Sequence, residues 1–190
     1  MQNYSKTLQT PVKTERLVDF EYRKESEGDA LDFNSVLNGD GKWEKVKLPH
    51  YVGPEGIWNA FYRTKIYLDK KCLDKQYLID FEAVDYIAEV YINGRLANRH
   101  IGFFAPFTAD LTPFIKEGEN ILLVVVKNDL PAKGANYKGV THYGNRIYGA
   151  THLDYDEPYL GWHHCPAGAG IFGKVQFVIS NKQRITDIYV

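Results

Sequence analysis

The residues of this chain whose types and spacing could do chemistry crowd into one stretch near its end. Between Gly134 and Gly170 lie Asp154, Asp156, Trp162, His163, His164 and Cys165. The run His163-His164-Cys165 suggests a metal at first sight. Adjacent residues rarely satisfy tetrahedral geometry, however, and no second ligand pair stands at zinc spacing, so no metal site is expected. One imidazole is better suited to hydrogen-bonding a ligand or a neighbouring domain while the other packs. Trp162 has two readings, stacking on the flat apolar face of a ligand or filling a core or interdomain contact. Asp154 and Asp156, two positions apart, read most simply as solvated loop acids. Cys165 reads as buried and inert, and nothing in the stretch asks for a cofactor.

These side chains sit in a segment, residues 129–170, with little strand character and roughly 40 residues long, far above the usual loop length. Long structureless segments in compact domains tend to be functional or disordered. Its Tyr, Trp and His content argues against disorder, because disordered segments are poor in aromatics. The rest of the chain must supply the frame. Ile57 to Leu68 alternates, with Ala60, Tyr62, Thr64, Ile66 and Leu68 on one face and Asn59, Phe61, Arg63 and Lys65 on the other. The basic residues Arg63 and Lys65 are most simply a solvated face. Lys75 to Glu82 places Tyr77, Ile79 and Phe81 in register, and Tyr86 to Ile92 does the same with Ala88, Val90 and Ile92. Asn93-Gly94 follows at once, and both residues tolerate the positive φ of a type I′ hairpin turn. Arg95 to His100 returns.

Ile121 to Val126 is an unbroken β-branched and Leu run, which predicts a strand buried on both faces. Arg16 to Tyr22, Trp43 to Leu48, Gly173 to Ser180 and Arg184 to Val190 are further strand candidates. Residues 28–56 otherwise read as mostly loop, and Asp110 to Lys116 as a single helical turn. His50 and His100 read as structural. Short strands bounded by Gly, Pro and Asn turns, without helices between them, predict an all-β sandwich or barrel.

Composition narrows the partners. The chain has 190 residues, 44% hydrophobic and 25% charged, which suffices for a core without disulfides or metal. A formal net charge of -1 lacks the basic surplus of a nucleic-acid domain. The two cysteines, Cys72 and Cys165, allow one bridge at most. No stretch approaches the roughly 18 apolar residues of a membrane span. Met1 to Lys13 lacks a signal-peptide core, which leaves two locations open: inside the cell, or periplasmic or secreted after removal of a signal.

The segment Phe81-Glu82-Ala83-Val84-Asp85-Tyr86-Ile87-Ala88-Glu89-Val90-Tyr91-Ile92-Asn93-Gly94 continues through His100-Ile101-Gly102-Phe103-Phe104-Ala105-Pro106-Phe107 to Asp110-Leu111-Thr112. It closely resembles the signature of the N-terminal domain of family 2 glycoside hydrolases, the group of β-galactosidases, β-glucuronidases and β-mannosidases. Trp43 with Leu48-Pro49-His50, Trp58 with Phe61-Tyr62-Arg63, Gly118-Glu119-Asn120 and Gly170-Ile171-Phe172 agree with the same pattern. The likeness covers roughly residues 15–190 and implies a jelly-roll β-sandwich of the galactose-binding type. Residues 1–13 are then a tail, 14–182 the jelly-roll domain, and 183–190 the start of a following domain or linker strand. Two places depart from the pattern. Trp162 to Ala169 and Phe172-Gly173-Lys174 differ from the family's usual residues, so the resemblance does not specify the sugar.

The resemblance also implies what the chain lacks. Retaining glycosidases use two carboxylates about 5–5.5 Å apart, and in this family both lie in a (β/α)₈ barrel further along, with an Asn-Glu dipeptide marking the acid/base. No Asn-Glu occurs here. The segment is expected to be non-catalytic, an accessory domain that binds a β-glycoside and adjoins other domains of its parent. In that setting Asp154 or Asp156 reaches the barrel's active site and accepts a hydrogen bond from a sugar hydroxyl. Two alternatives stand beside it: a stand-alone carbohydrate-binding module, and a structural domain at an interdomain or homo-oligomer interface.

Overall fold

The computed structural model describes residues 13–25, 31–52, 58–102, 104–128, 135–137, 140–142 and 169–183. The candidate residues Asp154, Asp156, Trp162, His163 and His164 lie outside them, as do Cys165 and the strand candidate Arg184 to Val190. Two antiparallel sheets form the body. Strands β1 (Lys13–Leu17), β6 (Lys75–Phe81), β9 (Phe107–Asp110) and β14 (Val175–Asn181) make a four-stranded sheet in the order β1-β14-β6-β9. Strands β2 (Asp19–Lys24), β3 (Glu44–Lys47), β5 (Trp58–Leu68), β7 (Ile87–Ile92), β8 (Arg95–Ile101) and β10 (Gly118–Asn128) make a six-stranded one, ordered β3-β2-β5-β10-β7-β8. A short pair joins β4 (His50–Val52) to β13 (Ala169–Ile171), and another joins β11 (Ala135–Tyr137) to β12 (Val140–His142). Of the all-β sandwich or barrel expected from the strand pattern, the sandwich is what forms.

The predicted faces explain the packing. Tyr62, Ile66, Ile79, Val90, Leu122 and Val124 are all buried in one cluster between the sheets. Each such side chain contributes roughly 1.5–3 kcal/mol when fully buried. Leu123 and Val125, on the opposite side of β10, join Phe61 and Val36 in a second cluster. The run from Ile121 to Val126 is therefore apolar because its strand is covered on both sides.

The cover on that second side is a helix, α1 (Phe33–Asn38), in a stretch that reads as loop by composition. The Asp, Asn and Gly residues that suggest a loop are its caps. Asp32 accepts from Ser35 N at 2.9 Å, and Gly39 closes the helix in the left-handed conformation. The same helix overturns the solvated reading of Arg63, which is only 8% exposed. Its guanidinium pairs with Glu21 at 2.6 Å and donates to Leu37 O, one of the last carbonyls of α1, at 3.0 Å. Lys65 stays on the surface beside Glu119. The candidate Arg16 to Tyr22 divides between β1 and β2, which belong to different sheets.

The Asn93-Gly94 turn has the expected geometry, with φ of 50° and 78°. Asn93 does more than turn the chain. Its side chain accepts from Ile121 N at 3.0 Å and donates to the buried Asn120 Oδ1 at 2.8 Å, tying the β7–β8 hairpin to β10.

Candidate functional site

The long segment that carries the predicted sugar contacts leaves and re-enters the sandwich at defined places. It departs from the end of β10, where Asn128 pairs with Trp58 and Lys127 with Asn59. The Asn59 amide donates to Glu25, whose other carboxylate oxygen accepts from Leu31 N at 2.7 Å. Within the segment, Asn136 pairs with Thr141 in the β11–β12 ladder. This is local strand structure that the sequence did not announce. The chain returns through β13, where Gly170 is clamped from two sides.

On one side of Gly170 is β4, with Tyr51 as its register partner. On the other is Asp85, which exchanges both backbone hydrogen bonds with Gly170, at 2.9 and 3.1 Å. A Cβ at Gly170 would come within 2.3 Å of His50 O and 3.0 Å of Tyr51 Cα. Backbone cannot yield as a side-chain tip can, so only glycine fits this close approach. The Gly-Ile step of the motif is explained by packing.

Side chains complete the clamp. The Tyr51 hydroxyl donates to Asp85 Oδ2 at 2.6 Å, and Asp85 is 2% exposed. Burial pushes the Asp85 carboxyl up to about 7, with the Tyr51 hydrogen bond opposing the shift. Beside it, His50 Nδ1 and the Tyr62 hydroxyl are 2.8 Å apart. Tyr22 packs on both rings, at 4.7 and 5.1 Å between centroids. Burial lowers the His50 pKa, with Glu44 opposing, and burial raises the Tyr22 hydroxyl to about 12. Phe172 lies against Tyr51 and against the exposed Phe104, at 5.9 and 6.0 Å. Among the described residues, no group of three His, Cys, Asp or Glu side chains is placed to hold a metal. The cluster positions a segment; it offers no nucleophile with an activating base.

Sequence reasoning missed this clamp as a unit. Asp85, His50 and Gly170 each belong to a motif, but they are far apart in the chain. His50, expected to be structural, is bonded to Tyr62 through Nδ1 in the clamp. His100 stacks on Phe107 with centroids 4.3 Å apart.

An antiparallel two-sheet sandwich with a long segment anchored at one edge defines the class of protein. Its family follows from sequence. The profile of glycosyl hydrolases family 2, sugar binding domain, matches residues 45–138. Residues 45–138, just under half of the chain, therefore carry the pattern of this domain. It is 35% identical over 130 residues to a β-glucuronidase of Formosa agariphila, covering 59% of this chain and 13% of that protein. It is 33% identical over 132 residues to a β-galactosidase of Thermoanaerobacter pseudethanolicus, covering 62% of this chain and 17% of that one. Among solved structures, a Bifidobacterium dentium β-glucuronidase superposes with a TM-score of 0.63 at 18% identity, covering 94% of this chain and 31% of that chain. This chain thus spans less than a fifth of the length of those two relatives.

Proposed function

We propose that this chain is the non-catalytic, sugar-binding portion of a longer retaining β-glycosidase. In this reading residues 14–182 are the jelly-roll domain and 183–190 begin a following domain or linker. The 134–170 segment helps to line the active site of a barrel domain, where Asp154 or Asp156 accepts a hydrogen bond from a sugar hydroxyl. Trp162, His163 and His164 supply stacking and further polar contacts. The observation that supports this best is the clamp at Gly170. It anchors the return of a segment rich in sugar-compatible side chains, and anchoring lowers the entropy lost when such a segment orders around a ligand.

Two measurements test the reading. The 190-residue chain alone should release no nitrophenol from nitrophenyl β-glycosides. In the parent enzyme, Asp154→Ala or Asp156→Ala should raise the Michaelis constant about tenfold, the loss expected for one hydrogen bond to a charged group. Hydrolysis by the isolated chain, or unchanged constants in both variants, would overturn it.

A further inference from the structure

A cleft of about 850 Å³ opens at the β3 edge of the six-stranded sheet. It falls within the roughly 300–1,000 Å³ of small-molecule sites. Its walls include Tyr22, Arg23 and Lys24 of β2, Lys42, Trp43 and Glu44 at and just before the start of β3, and His50 and Val52 of β4.

Three features mark it as built for a ligand. First, a single carbonyl, Asp40 O, accepts from both Arg23 Nη1 at 2.7 Å and Trp43 Nε1 at 3.0 Å. The guanidinium and the indole are thereby held in a fixed relation before anything binds. Trp43 also packs against the cluster of Val36, Phe61, Leu123 and Val125, yet its ring is only half-buried. Second, the Tyr22 hydroxyl is buried without a hydrogen-bond partner. With so little of that hydroxyl accessible, it is the Tyr22 ring that forms the cleft wall. Third, His50 commits Nδ1 to Tyr62 and has Nε2 left over, while the exposed Glu44 supplies an acceptor.

We propose that this cleft binds a saccharide, with a pyranose ring lying on Trp43 and its hydroxyls meeting Arg23, Glu44 and His50. The mixture selects the ligand class. An aromatic face suits the C–H face of a sugar, and donors beside acceptors suit hydroxyls, which do both. An apolar ligand has no use for the charged rim. The choice of sugar over other hydroxylated ligands rests on the sugar-binding reading above.

The test is titration of the ¹⁵N-labelled 190-residue chain with methyl β-D-galactopyranoside and with methyl β-D-glucuronide. Indole N–H signals are assigned through Trp43→Phe, Trp58→Phe and Trp162→Phe. At least one sugar should shift the Trp43 signal saturably. Glu44→Gln should weaken that binding about tenfold. Arg23→Gln should weaken it too. Shifts confined to Trp162, or wild-type affinity in both Glu44→Gln and Arg23→Gln, would overturn the cleft proposal and leave the sugar-binding reading intact. No shift with either sugar would overturn the cleft proposal, while the reading above stands or falls on the parent's Michaelis constants.

Discussion

Asp85 is the side chain at the root of the long segment whose charge state matters most. Its ordinary value is 3.8 and burial raises it to about 7. Between those values the folded chain keeps a proton that the unfolded chain has released. The stability tied to this proton is present in full below the unfolded value and is lost as pH rises through 7. Asp85→Asn keeps the size and an acceptor for Tyr51 but does not ionise. Urea midpoints of the variant should therefore fall less than the parent's between about pH 5 and pH 8. Equal slopes for both would mean that Asp85 ionises freely in the fold. His50 works in the opposite sense, since burial lowers its pKa and its neutral form is favoured. Its contribution is lost as pH falls through the ordinary histidine range.

At the scale of elements, the smallest one has a large structural role. Helix α1 covers the outer side of β5 and β10, and two devices hold it. Asp32→Ala removes the N-cap bond to Ser35 and should cost about 1 kcal/mol, measurable by chemical denaturation. Arg63 fastens the other end, and its burial follows from the helix that covers it. The β13–β4 pair depends on a single glycine. Gly170→Ala drives a methyl into His50 O and should cost about 3 kcal/mol or more. Hydrogen exchange should then show faster loss of the Asp85 and Gly170 amides than of those in β10. Unchanged protection would show that the backbone can shift to admit the methyl.

At the scale of the molecule, the separation between what the chain's own spacing decides and what folding decides has a physical basis. The period-two alternation in β5 and β6, the doubly apolar run of β10 and the Asn93-Gly94 turn are local quantities. Each depends on neighbours a few positions away, so each was legible in the sequence, and together they determine an all-β sandwich. The ordered motifs from Phe81 to Thr112 add the family. Tertiary structure decided the rest. Arg63 looks like a surface residue until a helix some 25 positions earlier is folded over it. Asp85, Tyr51 and Gly170 become one clamp only when β4 and β13 pair across the edge of the sandwich. Trp43, Arg23 and His50 likewise share a cleft because three strands place them there. A charge becomes costly, a glycine irreplaceable and a set of side chains a site only through contacts between residues remote in sequence, and no local pattern encodes those contacts.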